Sequence, residues 1–395
     1  MYHAVGMRRR RLVILLVVVA VMATGSYTVA PYLRAASLII RAASLGGRAE
    51  AIANAQAHSV EQRPKHVVPT RHGDVPAQFY IPDGTPDRTL LVMPGINSTG
   101  IDEPRVIDLA TDLSGSGFRV MLMALPDLMH YRITPNATDV IEDAVAWMAA
   151  QPELAPDGRV GIAAVSFTGG LSISAAGRER VRDKVAFIVS LGGHGDLRRV
   201  MRYLATGEAP KVEGTAYDAP HDYGVAVILY GLADRGAVPI EQAPALRAAI
   251  ETFLLASQLT VSNQEAADKT FAQAREMAET LPEPSRTYMR WVNDRAVSKL
   301  GPALVPHLDQ LGADDPALSP ELAPPPAAPV YLLHGNHDNI IPAAESVLLG
   351  NVLRAKGAEA HVLLSGLITH AQVNESATAM DALKLISFWA GILRR

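Results

Sequence analysis

The apolar run "VGIAAV" ends in Ser166 and is followed at once by "FTGGLS". A serine hydroxyl becomes a useful nucleophile only beside a base, and the base needs an acid to orient it. Two later stretches supply candidates. "YLLHGNHDNIIP" carries Asp338 and "LLSGLITHAQ" carries His370, each just after an apolar run that reads as a strand. The order Ser166, Asp338, His370 is one of the chain orders in which nucleophile, acid and base occur. The chemistry that follows is acyl transfer. His370 takes the proton from Ser166, Asp338 orients His370, and an acyl-enzyme forms.

Such chemistry places negative charge on the former carbonyl oxygen, and two preorganised N–H donors are needed there. The amide of Phe167, directly after the nucleophile, is one. The loop "MPGINSTG" is expected to give the other through the Ile96 amide, with Asn97 as a candidate side-chain contributor. Asp196 in "LGGHGDL" is the rival acid. His194 in the same loop is a candidate pocket residue, although a loop histidine satisfied by backbone is the plainer reading. His334 is expected to bond across the acid loop, and His337 to lie at the surface. No histidine pair has a metal-ligand spacing such as H-E-x-x-H, so no metal is expected. Gly169-Gly170 and Gly192-Gly193 lack the context of a phosphate cradle, so no nucleotide cofactor is expected either.

These residues need a scaffold that brings distant segments to one edge. From about His66 the sequence reads as a hairpin, "HVVPT" then "PAQFYIPDG", turning at Arg71-His72-Gly73-Asp74. Short apolar strands then alternate with helical spacing: "TLLVMPG", "FRVMLMALPD", "RVGIAAVS" and "KVAFIVSLGG" are strands. Helices are expected near Arg105–Gly115, over "NATDVIEDAVAWMAAQP" and over "GGLSISAAGRER". That alternation predicts a mostly parallel sheet with helices on both faces. Ligands bind such sheets at the carboxyl ends of the strands, where Ser166 falls.

From about Leu197 to Leu322 the signals are helical, with no strand pattern. "DLRRVMRYLATG", "QAPALRAAIETFLLASQ", "NQEAADKTFAQAREMAETL" and "SRTYMRWVNDRAVSKLG" each read as a helix. "SPELAPPPAAP" is a stiff proline-rich re-entry. The strand–helix texture resumes at "PVYLLHGNHD", with helices from about Ala343 and about Thr378. An insertion of about 125 residues, a common size for a small domain, therefore interrupts an α/β core. The expected divisions are an N-terminal segment 1–33, a connecting helix 34–62, the core at 63–196 and 328–395, and a helical cap at 197–327.

From about His66 to its end the chain resembles an α/β-hydrolase. "AVSFTGG" is similar to the nucleophile elbow of that family, "HGNHDNIIP" to its H-G-x-x-D-x-x-[VI]-P acid loop, and "ITHAQ" to its histidine loop. The resemblance implies an α/β-hydrolase fold with the insertion after the sixth strand of that fold, where such enzymes commonly carry a cap. The sequence departs from the usual G-x-S-x-G at Ala164 and Thr168, which bears on the turn's geometry.

Composition narrows the function further. The chain has no cysteine, which excludes disulfides, thiolate catalysis and cysteine-held metals. Its formal net charge is -4 and no basic run lies beyond the first residues, which argues against nucleic acid as a partner. Arg8, Arg9, Arg10 and Arg11 precede an apolar run from Leu12. A buried N-terminal helix is the plain alternative to two export fates: a retained membrane span over Leu12–Leu33, near the roughly 20 residues that crossing needs, or a signal cleaved after Ala23. Either would put the catalytic part outside the cytoplasm. Arg34, Arg41 and Arg48 then recur with period seven, as do Leu38, Leu45 and Ile52, which fits one amphipathic helix weakened at Gly46-Gly47. It reads as a connector or as a helix lying on a membrane or partner.

The expected function is hydrolysis of a carboxylic ester, with a small-molecule or lipid-like substrate under a cap rich in Leu, Ala and Met. Thioester or amide cleavage and acyl transfer are open to the same triad. A non-catalytic binding protein on this fold is the alternative from another class.

Overall fold

The computed structural model describes residues 29–44, 46–366 and 379–395. Nine strands form one mixed sheet. They are β1 (Val60–Gln62), β2 (His66–Thr70), β3 (Gly73–Pro82), β4 (Arg88–Met93), β5 (Phe118–Met123), β6 (Val160–Val165), β7 (Val185–Leu191), β8 (Val330–Gly335) and β9 (Ala360–Ser365). The order across the sheet is β1-β3-β5-β4-β6-β7-β8-β9, with β2 paired to β3. β3 meets β5 antiparallel, and every pair from β5 through β9 is parallel. β2 and β3 are the expected hairpin, with Thr70 opposite Gly73.

The helices are α1 (residues 29–42), α2 (Gly47–Gln56), α3 (Pro104–Gly115), α4 (Pro126–Met129), α5 (Pro135–Ala149), α6 (Phe167–Ala176) and α7 (Leu197–Thr206). They continue with α8 (Tyr223–Leu232), α9 (Ala243–Leu259), α10 (Gln264–Thr280), α11 (Ser285–Asn293), α12 (Val297–Leu304), α13 (Ala344–Ala355) and α14 (Ala379–Ile392).

Period-two alternation sorts each central strand between two hydrophobic clusters. Leu91, Met93, Met121, Met123, Ile162, Ile188 and Leu332 face one cluster, together with α5, α6 and α13. Leu90, Val92, Val120, Leu122, Ala163, Phe187, Val189 and Leu333 face the other, with α1, α3 and α14. Helices on both faces explain why the central strands are apolar throughout.

Residues 197–311 carry helices and short helical turns, and among the described residues no strand lies between β7 and β8. Val225, Ile228, Leu246, Ile250, Phe253, Leu300 and Leu304 belong to the same cluster as the first sheet face. The insertion therefore shares the core's interior and does not fold around one of its own. "SRTYMRWVNDRAVSKLG" is two helices, not one. The chain breaks at Arg295, which has a positive φ of 54°.

The stretch 34–62 also departs from a single helix. It is two helices and a strand: α1 ends before Ser44 (φ 46°), Gly46 has φ 70°, and β1 follows α2. The positive φ of Ser44 takes the chain out of α1, and glycine weakens a helix interior by about 1 kcal/mol. Two of the three period-seven arginines meet the core, and Arg48 is exposed. Arg41 donates to Asp112 Oδ1 (2.8 Å), the Asp112 carbonyl (2.9 Å) and Ser116 Oγ (2.8 Å), while Arg34 bonds Asp87 and the Ser116 carbonyl. Ala35 and Leu38 are buried with Leu385 and Trp389 of α14.

The span or signal expected over residues 1–33 lies almost wholly outside the described residues. Among those described, no helix is long and apolar enough to cross a membrane.

Candidate active site

Strand register brings the candidate loops to one edge. Met93 pairs with Ala164, Val165 with Leu191, and Leu191 with Leu333. The chain leaves β4, β6, β7 and β8 at that edge, into the loops of Gly95–Gly100, Ser166, Gly192–Asp196 and Asn336–Asp338.

Ser166 stands between β6 and α6 with φ 60° and ψ -134°. A non-glycine residue there is strained by about 1–3 kcal/mol, and such strain persists only where the surroundings enforce it. Three contacts do so. The Ser166 amide donates to the Leu191 carbonyl (2.7 Å). Thr168 Oγ1 donates to the Val165 carbonyl (2.6 Å), which closes the turn from beneath. Gly95 lies so close that a Cβ there would be 3.0 Å from Ser166 Cβ. Thr168 is fully buried, and its hydroxyl, absent from the usual glycine, braces the turn. Ser166 itself is only 5 % exposed.

Phe167 is the first residue of α6, so its amide is among those that have no partner within the helix. Ile96 is half-buried against the main cluster. Asn97 turns its amide into its own loop, not toward Ser166. Its Nδ2 donates to the Gly95 carbonyl (3.1 Å), and its Oδ1 accepts from the Gly100 amide (2.5 Å) and Thr99 Oγ1 (3.1 Å). The side chain thus folds the loop on itself. Gly100 completes the bend with φ 60°, where a Cβ would fall 2.9 Å from Met129 Sδ.

Asp338 is 4 % exposed. Its Oδ1 accepts from the amides of Ile340 (2.8 Å) and Ile341 (3.0 Å), and its Oδ2 lies 3.3 Å from His334 Nε2. His334 bonds across the loop: Nε2 donates to the Ile341 carbonyl (2.8 Å), and Nδ1 meets Ser346 Oγ at 2.7 Å. A carbonyl only accepts, so the network assigns the proton to Nε2. His337 is exposed, with Nδ1 3.1 Å from Asp218. His370 lies outside the described residues. β9, which leads to it, ends at Ser365 opposite Gly335, so the chain leaves the sheet beside the Asp338 loop.

The rival acid is used elsewhere. Asp196 caps α7, accepting from the Arg199 amide at 3.2 Å. Arg199 in turn bonds Glu345 and Glu321, and Glu345 also accepts from the amides of Gly195 and Asp196. This buried ionic knot fastens the loop after β7 to α13. His194 is likewise not at a pocket wall. It is fully buried, with Nε2 donating to the Leu318 carbonyl (2.8 Å) and its ring 5.4 Å from that of Phe167. Its Nδ1 has no hydrogen-bond partner among the described residues. Burial, the largest influence, pulls its pKa down to about 4.

Sequence reasoning missed how the insertion grips this edge. The Ala216 amide donates to Asn336 Oδ1 (3.1 Å), and the His221 amide to the Asn339 carbonyl (2.8 Å). Tyr203 and Tyr223 are near enough that the Asp338 charge, after burial, raises both phenols above their usual range. On the other side Ser98 and Thr99 bond Gln258 of α9. No local pattern announces pairs so far apart in the chain. Among the described residues no cluster of acidic or histidine side chains could hold a metal.

No family model matches the sequence, and no curated protein matches it. Among solved structures the chain is similar to an esterase from Pyrobaculum calidifontis, with TM-score 0.43 and 16 % identity over 91 % of this chain and 92 % of that one. It is also similar to a thermophilic carboxylesterase cloned from a metagenomic library (0.45, 14 %, 85 % and 90 %). A third is brefeldin A esterase, described as a bacterial homologue of human hormone-sensitive lipase (0.44, 14 %, 86 % and 76 %).

Proposed function

We propose, for a chain with the α/β-hydrolase fold, that it is a serine hydrolase acting on a carboxylic ester. Ser166 is the nucleophile, His370 its base and Asp338 the residue that orients the base. The amides of Phe167 and Ile96 hold the oxyanion. Attack of Ser166 Oγ on the ester carbonyl passes its proton to His370 and then to the departing alcohol. Water, deprotonated by the same histidine, releases the acid.

The observation that carries this reading is the strained serine itself. Ser166 holds φ 60° between a buried strand and a helix, at the edge where the Asp338 loop also emerges. Strained non-glycine residues cluster at active sites, and here the strain falls at a strand-to-helix turn on the binding edge of the sheet. Additional support comes from the apolar insertion packed on that side, which suits an acyl group shielded from water.

Fluorophosphonate labelling of wild type, Ser166→Ala and His370→Ala tests the assignment. Wild type alone is expected to label. Labelling that survives in Ser166→Ala would overturn it, and no labelling of folded wild type would favour a binding protein. A series of activated esters, thioesters and anilides of increasing acyl length then defines the substrate.

The arginine-flanked apolar run suggests, in addition, that the catalytic part is held on the outer side of a membrane by its N-terminal segment. Fractionation with N-terminal sequencing tests this. An intact N-terminus found only in the soluble cytosolic fraction would refute it.

A further inference from the structure

The loop that carries Ile96 is not held by the core alone. Ser98 Oγ donates to Gln258 Oε1 at 3.1 Å, and Gln258 Nε2 donates to Thr99 Oγ1 at 3.3 Å. Gln258 belongs to α9 of the insertion. From Thr99 the bonds continue inward. Thr99 Oγ1 donates to Asn97 Oδ1 (3.1 Å), and Asn97 Nδ2 donates to the Gly95 carbonyl (3.1 Å). Gly95 presses on Ser166: a Cβ at residue 95 would stand 3.6 Å from Ser166 Oγ. One unbroken path of side-chain bonds thus runs from a helix of the insertion to the backbone beside the nucleophile.

Gln258 bonds both hydroxyls at once, acting as acceptor to one and donor to the other. That arrangement fixes the direction in which the Ser98 and Thr99 hydroxyls point. Thr99 then has its proton free to give to Asn97, which already accepts from the Gly100 amide. Removing Gln258 leaves Ser98 and the acceptor side of Thr99 to water and unties the loop from α9, while Thr99 keeps its bond to Asn97.

We infer that Gln258 is a positioning residue: through Ser98, Thr99 and Asn97 it sets the Ile96 amide in the oxyanion site, so that the seating of the insertion controls the rate of the chemical step. This rests on the ester-hydrolase reading above. Gln258 does not touch the substrate, and its effect falls on the transition state, where the oxyanion exists, more than on substrate binding.

The test compares wild type, Gln258→Ala, Ser98→Ala and the double variant on an activated ester. Gln258→Ala is expected to lose about tenfold in kcat with KM within about twofold. Inhibition by an alkyl boronic acid, which presents a tetrahedral anionic oxygen, is expected to weaken by the same factor. The double variant is expected to lose no more than the worse single one, since both act on one path. Amide exchange across 95–100, read by mass spectrometry, is expected to quicken in Gln258→Ala while exchange in β4 and β6 does not. A KM rise without loss of kcat, or exchange across 95–100 unchanged from wild type, would overturn the inference. If wild type turns over no ester, the hydrolase reading fails. The exchange measurement still decides whether Gln258 orders the loop.

Discussion

Gly170, in the first turn of α6, lies directly over the imidazole of His194: a Cβ at residue 170 would stand 2.5 Å from His194 Nδ1 and 2.7 Å from its carbonyl oxygen. The helix that starts after Ser166 is therefore seated on a buried histidine, and the absence of one methyl group permits it.

Gly170→Ala is accordingly expected to destabilise the protein. In an exposed helix this substitution stabilises by about 1 kcal/mol. Here the overpacking of a full core, about 1–3 kcal/mol, reverses the sign. A denaturation midpoint at or above that of wild type would refute the expectation. Fluorophosphonate labelling of the variant is expected to slow as well, because α6 moves and carries the Phe167 amide with it.

His194 gives the stability a pH dependence of known sign. Its folded pKa of about 4 lies below the ordinary value of 6.5, because burial penalises the charged ring. Between those values the unfolded chain binds more protons. The stabilising contribution is therefore complete above about pH 6.5 and disappears as the pH falls toward 4. The full amount is about 3 kcal/mol. In His194→Gln, whose amide still has a donor for the Leu318 carbonyl, the loss of stability between pH 6.5 and 4 is expected to be shallower. Equal slopes in the two proteins, followed by urea unfolding, would contradict this.

The Arg41–Asp112 pair acts in the opposite direction. Burial outweighs the attraction of Arg41 and pushes the Asp112 carboxyl up to about 6, while burial also lowers the Arg41 guanidinium. For a carboxyl raised above its unfolded value of 3.8, the folded state is the better proton binder. Its contribution is present below about pH 4 and is lost as the pH rises through 6. The double substitution Arg41→Met with Asp112→Leu is expected to remove that slope and to be neutral or stabilising at pH 8. Asp112→Ala alone is expected to cost stability there, since it leaves Arg41 buried without its partner. Thermal melts of the three proteins at pH 4 and pH 8 decide the matter.

Ser166 allows strain and chemistry to be separated. Ser166→Gly and Ser166→Ala both remove the nucleophile, and neither is expected to label. Only glycine adopts φ 60° freely, so Ser166→Gly is expected to melt higher than Ser166→Ala, by an amount that corresponds to about 1 kcal/mol. Identical melting temperatures would mean that the elbow stores no strain.

The parts of this molecule that are legible in the sequence are those with local signatures. The hairpin at Arg71-His72 follows from its turn residues and alternation, and the strand before Ser166 and the loop around Asp338 from short apolar runs ended by small or turn-forming residues. The helix Tyr223–Leu232 does not announce itself, because "YGVAVILYGL" is apolar on every side and carries no period. The period-seven arginines are visible, but Asp112, Ser116 and Asp87, which Arg34 and Arg41 bond, lie in segments that only the fold brings near. The position of Asn97 suggests a donor to the oxyanion, yet its short amide bonds its own loop, as Asn side chains commonly do. Gln258 has no signal at all, since its bond to Ser98 spans 160 residues.

The pairing of α1 with α14 has a mechanical meaning. The Arg394 guanidinium lies over the Tyr32 ring, 5.0 Å from its centre, so α1 begins where α14 ends. They meet on the face of the sheet opposite the insertion. A pull applied to the chain ahead of residue 29 would reach the sheet's back through the Arg34 and Arg41 clamps. The insertion, packed on the other face, would bear none of that pull directly.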